Sequence, residues 1–137
     1  MNGQFGHFGA NITEFLLFFV AAAVLTIIFV VVYTRITRHN ELALIKDNST
    51  AAALAFSGSL IGFALPLAST MIHSVTVVEM VLWGLIALIV QVLVYFIVRL
   101  PMPRISERIE GGEVAAGIWL GATSMVAGIL NAAAMTN

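Results

Sequence analysis

Residues 57–70 read SGSLIGFALPLAST, placing two glycines, one proline and four hydroxyl side chains in an apolar run long enough to cross a bilayer. Such residues weaken a helix in water, and their concentration here asks what solvent the segment is built for. The rest of the chain answers that. Of 137 residues, 61% are hydrophobic and only 9% are charged, too little charge to coat a water-soluble domain, where roughly a quarter of residues are charged. In lipid the hydrophobic drive between helices disappears, and close backbone approach, van der Waals contact and interhelical hydrogen bonds take its place. Glycines and hydroxyls are then packing residues. The stretch reads as the buried face of a membrane-spanning helix.

Four runs have the required length of roughly 20 residues, at about 12–34, 50–72, 77–98 and 114–135. The fold class expected is an all-α membrane protein with four transmembrane helices. No Lys or Arg precedes Ile12, so the sequence offers no basic n-region of a cleavable leader, and the N-terminus is expected to be retained. Arg35, Arg38 and Lys46 lie in the first connection, and Arg99, Arg104 and Arg108 in the third. Short basic loops stay in the cytoplasm, so both termini are expected to face outward, away from the cytoplasm.

The chain also resembles itself. Residues 64 apart pair Arg35 with Arg99, Ala51-Ala52 with Ala115-Ala116, Ala68 with Ala132 and Met71 with Met135. A one-residue slip pairs Gly58 with Gly121 and Glu14 with Glu79. Asn11 with Glu14, and Thr76 with Glu79, both read as capping boxes, a polar N-cap with a carboxylate three residues on. The reading is of an outer tail over 1–11 and two helical hairpins over 12–73 and 76–137. Each hairpin holds two spans, so the repeats are parallel, related by an axis along the membrane normal.

Small residues mark the packing face. Ala51, Ala55, Gly58 and Gly62 follow helical spacing in the second span, and Gly117, Gly121, Ser124, Gly128 and Asn131 form a stripe on the fourth. Pro66 lacks an N–H and crowds the carbonyl of Gly62, so a kink is expected there, with Ser69, Thr70 or water satisfying the freed group. The second and fourth spans are expected inside. The first and third, with Leu25 among their residues, are expected against lipid.

The stretches NSTAAALAFSGSLIGFALPLAS (48–69), WGLIALIVQVLVYFIVRL (83–100) and AAGIWLGATSMVAGILNAAAM (115–135) resemble the YjfL-like bacterial inner-membrane proteins, a domain family of unknown function. The resemblance covers nearly the whole chain after about Phe15. It implies two repeats of paired spans and, for some members, a partner in envelope-stress systems of the phage-shock-protein-A type. It brings no catalytic or transport residue.

Chemistry offers few candidates. The absence of cysteine removes disulfides and thiolate sites, and a net charge of −1 gives no nucleic-acid surface. Ser57, Ser59, Ser69, Thr123 and Ser124 have no base beside them in sequence, so no nucleophilic enzyme, cofactor or catalytic residue is assigned. His7, His39 and His73 are isolated and divided between the two faces, which excludes one metal site. Gln91, eight residues from Arg99 and so roughly 12 Å into the membrane, is the most polar side chain at depth. With Ser124 and Asn131 it lines either a pore or a helix contact. The connections 39–46 and 104–110 are expected to be short helices at the interface or plain solvated loops. The function expected is an oligomeric membrane scaffold or envelope-stress component; the alternative is a passive channel or small-solute transporter formed by an oligomer. Lipid, further copies of the chain and a phage-shock-protein-A-like cytoplasmic protein are the partners this reading implies.

Overall fold

The structure, a computed structural model, describes the backbone of residues 2–136 and the side chains of residues 6–136. Met1 and Asn137, the outermost residues of the tail and of the second hairpin, lie outside the described residues. The elements are α1 (Asn2–Ile36), α2 (Glu41–Lys46), α3 (Thr50–His73), α4 (Val77–Val98), α5 (Ile105–Glu110) and α6 (Val114–Ala134). Long, six-residue and long helices follow each other twice. Four of them, α1, α3, α4 and α6, are long and apolar enough to cross a membrane.

Helix starts follow local capping chemistry. Ser49 Oγ accepts the Ala52 N–H at 3.2 Å to open α3, and Asn40 Oδ1 accepts the Ala43 N–H at 3.3 Å to open α2. Thr76 Oγ1 accepts the Glu79 N–H at 3.1 Å, while Glu79 Oε2 reaches back to the Val75 N–H at 3.2 Å. That is a capping box displaced by one residue on its return arm. The matching assignment for Asn11 and Glu14 does not hold. The chain is helical from Asn2, so Asn11 is already inside α1 and its N–H has a partner one turn back. At 1.5 Å per residue, α1 is about 50 Å long and overruns a hydrocarbon core of about 30 Å, carrying the expected outer tail as helix.

Helices α3 and α4 lie in the middle, each touched by α1 and α6, and α3 and α6 make the closest pair. The reason is the glycines. A Cβ built on Gly58 would fall 2.5 Å from the Gly121 carbonyl oxygen, and one on Gly117 would fall 2.8 Å from the Ala51 Cα. One on Gly128 would fall 2.7 Å from the Gly62 Cα. The two backbones meet with only hydrogens between them. Pro66 sits within α3 and is buried. Ser69 and Thr70 do not serve the carbonyl it frees: Ser69 Oγ donates to Ala132 O at 3.3 Å and Thr70 Oγ1 to Leu67 O at 2.7 Å. Gly62 O instead faces Gly128, where a side chain would overlap it.

Helices α1 and α4 expose most of their surface, but each also buries a full stripe, Ala22, Leu25, Phe29 and Tyr33 on one and Met80, Gly84, Ala87, Gln91, Tyr95 and Val98 on the other. Leu25, expected against lipid, is 3% exposed and packs over Gly84. Uniformly aliphatic sequence hides such a stripe, because lipid-facing and core-facing positions use the same residues. Phe29 and Phe63 stack with centroids 4.6 Å apart and join α1 to α3.

Candidate functional site

The polar side chains of the spans converge on the middle of the bundle. Gln91 on α4 is 3% exposed and donates through Nε2 to the Ser124 carbonyl of α6 at 3.1 Å. Ser59 Oγ on α3 lies 2.9 Å from Ala55 O, 3.0 Å from the Tyr33 hydroxyl and 3.3 Å from Ser124 Oγ. With its single proton on Ala55 O, Ser59 accepts from both Tyr33 and Ser124. All four long helices therefore contribute to one chain of hydrogen bonds, Tyr33–Ser59–Ser124 with Gln91 beside it. Asn131, grouped with Gln91 and Ser124 by sequence, lies about two turns further along α6, half-buried, with a buried Nδ2 that has no protein partner. The Gln91 Oε1 and the Tyr95 hydroxyl are likewise buried without partners.

Toward the basic end of the bundle the site continues into residues that sequence reasoning passed over. His39 and Glu41, read as part of an interfacial or solvated connection, are 2% and 0% exposed. His39 Nδ1 is 3.1 Å from Ser106 Oγ on α5, and Thr37 bonds its hydroxyl to Glu41 Oε1. His39 Nε2 stands 3.3 Å from Glu41 Oε1 but is not aligned for a hydrogen bond, and Glu41 Oε2 has no partner. His39 is thus not isolated. Helices α2 and α5 do form where the sequence placed them, yet Ile105, Ser106 and Ile109 of α5 turn into the bundle. In α2 the polarity is inverted relative to a soluble helix: Glu41 faces in, while Leu42 is 51% exposed. The one signal available in sequence was Thr37 and Glu41 at i,i+4 spacing around a histidine.

Burial governs the charge of this cluster. It pushes His39 down from 6.5 to about 4, so the imidazole is neutral at pH 7 and forms no ion pair with Glu41. Burial also raises Glu41 above the ordinary carboxylate range, an effect partly offset by the Thr37 hydrogen bond. Among the described residues no group of three or more His, Cys, Asp or Glu could hold a metal ion. The Arg99 guanidinium lies 5.6 Å from the centre of the Tyr95 ring, a cation–π contact above the inner polar chain.

Four apolar helices whose polar side chains turn toward one another define a multi-pass membrane protein. The family model described as Domain of Unknown Function (DUF350) matches residues 7–135, and the chain belongs to that family. It is similar to the UPF0719 inner membrane protein YjfL of Escherichia coli strain K12, 45% identical over 130 residues that cover 95% of this chain and 98% of the relative. The protein of the same name from Escherichia coli O157:H7 matches to the same extent. No solved structure matches the chain.

Proposed function

We propose that this protein is an oligomeric, non-conducting scaffold of the bacterial inner membrane, built from a duplicated helical hairpin with both termini outside. The observation that carries the reading is where the polar groups are spent. Tyr33, Ser59, Gln91 and Ser124 bond to one another inside a single subunit, and the outer faces of α1 and α4 are lined by residues such as Phe15, Ile27, Leu82 and Ile89. Such faces match lipid or other helices and offer an ion nothing in exchange for its hydration shell. A pore along an oligomer axis needs these polar side chains turned outward.

Two features support assembly and duplication. Over the α3–α6 contact runs a shallow apolar groove lined by Leu54, Gly58, Ile61, Ile118, Gly121 and Met125. Small residues flanked by branched ones accept a helix of a second copy at close range. The succession of long, six-residue and long helices occurs twice, in step with the 64-residue sequence match. A cytoplasmic partner of the phage-shock-protein-A type, as the family resemblance suggests, would meet the basic end.

Subunit counting by stepwise photobleaching in native-like nanodiscs is expected to give a fixed number above one. A single bleaching step at every protein-to-lipid ratio contradicts the assembly. Orientation is tested separately, since the chain has no native cysteine. A cysteine at Val75, 81% exposed in the α3–α4 turn, is expected to react with an impermeant maleimide in intact spheroplasts, and one at Asp47 only after lysis. The reverse pattern inverts the topology.

A further inference from the structure

We propose that Glu41 is a proton-binding site, filled from a cleft at the basic end of the bundle through Ser106 and His39. The proposal is independent of the scaffold reading.

The geometry is a relay of three groups. Ser106 lines a cleft with Arg38, Arg99, Arg104, Glu107 and Glu110, so its hydroxyl sits between water-accessible charge and the bundle. Its Oγ is 3.1 Å from His39 Nδ1, and the opposite ring nitrogen is 3.3 Å from Glu41 Oε1. Beyond the carboxylate, Thr37 occupies Oε1 and nothing occupies Oε2. Glu41 is the only buried carboxylate among the described residues, and no Lys or Arg bonds it. A buried carboxylate is penalised in its ionised form, and a proton removes that penalty. One carboxylate and one imidazole are too few ligands for a divalent metal, whereas a proton needs no more than these.

The groups facing the site from each neighbouring element are few. Thr37 and His39 come from its own connection, Tyr33 from α1 and, across His39, Ser106 from α5. The arginines and glutamates of the cleft lie on the far side of Ser106. His39 resists carrying a full charge, which suits it to pass a proton rather than hold one. With the Nε2–H tautomer, Nδ1 accepts from Ser106. Binding proceeds when a small turn of the His39 ring aligns Nε2–H on Glu41 Oε1, 3.3 Å away. Ser106 then gives its proton to Nδ1 and takes one from hydronium in the cleft, while Nε2 gives its proton to Glu41. The sum is hydronium and carboxylate going to water and carboxylic acid. Release retraces the path and restores the tautomer, so the site fills and empties from one face and moves no net charge across the membrane.

Infrared difference spectroscopy on the full chain in nanodiscs tests this. A carboxylic-acid C=O band is expected in the wild type, persisting through the ordinary carboxylate range and fading as pH rises above it, and absent from Glu41→Gln, which keeps the volume of the protonated form. Transfer into heavy water should shift the band promptly in the wild type and at least tenfold more slowly in Ser106→Ala, with the band's midpoint pH little changed. Labelling glutamate with carbon-13 in the unmutated protein assigns the band without a variant that must fold. No glutamate band, or one unaltered as pH rises above the ordinary carboxylate range, overturns the site; equal exchange rates in wild type and Ser106→Ala overturn the route.

Stability gives a second readout with a defined sign. Glu41, raised by burial, stabilises the folded state at low pH and loses that contribution as pH rises through its elevated value. His39, lowered by burial, loses its contribution as pH falls from about 6.5 toward 4. Glu41→Gln should therefore flatten the alkaline limb of the melting-temperature profile and leave the acid limb in place. An unchanged alkaline limb contradicts the assignment.

Discussion

Gly62→Leu is expected to abolish folded, assembled protein, while Gly9→Leu leaves stability unchanged or slightly raised. At Gly62 the first added carbon alone would stand 2.6 Å from Gln91 Nε2 and 2.8 Å from the Ser124 carbonyl carbon. Carbon atoms need about 3.5–4.0 Å, and three further carbons of leucine follow. Overpacking an ordinary core costs about 1–3 kcal/mol because side chains can shift. Here part of the obstacle is the backbone of α6, so the helices themselves must separate. That movement also breaks the Gln91–Ser124 bond and withdraws Ser124 from Ser59. We expect a loss beyond about 3 kcal/mol. Gly9 has no atom within 4 Å of an added Cβ, and leucine relieves the entropic penalty of a helical glycine, about 0.5–1 kcal/mol. Gly84→Ala falls between, because the obstacle is the end of the flexible Leu25 side chain at 2.7 Å. Thermal unfolding in detergent, with recovery of the assembled form, ranks the three. Equal behaviour of Gly62→Leu and Gly9→Leu would show that α3 and α6 do not meet at backbone distance.

The same contact explains how far the sequence could be read. Number, length and composition of the spans follow from hydropathy alone, because a bilayer demands an unbroken apolar run and permits little else. The small-residue stripe on α3 and α6 was legible for a related reason: glycine at helical spacing has few uses in lipid besides close approach. Leu25 was not legible. Its neighbours Val24 and Thr26 differ from it in exposure, but in lipid neither composition nor alternation distinguishes a leucine that meets a helix from one that meets an acyl chain. Asn11 failed for a local reason, since a polar residue before an acidic one is compatible with a helix that has already begun nine residues earlier. His39 and Glu41 failed for a tertiary one. Charged and ionisable residues in a basic connection read as solvated, and only the packing of that connection in the fold, with α2 against α3 and His39 against Ser106 of α5, removes them from water. Gln91 and Asn131 stood out in sequence as polar side chains of the spans, but which of their polar ends, and that of Tyr95, lack a partner was not legible, because a side chain's partners depend on helix rotation.

Ion and solute flux through the purified protein in liposomes tests the central claim, that the hydrogen-bond chain of Tyr33, Ser59, Ser124 and Gln91 is closed within one subunit and lines no pathway. Gln91 gives the comparison its meaning, because the pore reading and the packing reading assign opposite consequences to its loss. Interhelical hydrogen bonds in membranes contribute roughly 0.6–2 kcal/mol, so Gln91→Leu should lower stability by about that much. It should leave flux where it was. We predict that potassium, chloride and small neutral solutes leak from vesicles holding the wild type no faster than from empty vesicles, and that Gln91→Leu and Asn131→Leu change nothing. Flux well above empty vesicles, abolished by both substitutions in protein that remains assembled, would contradict the account and make the chain a channel.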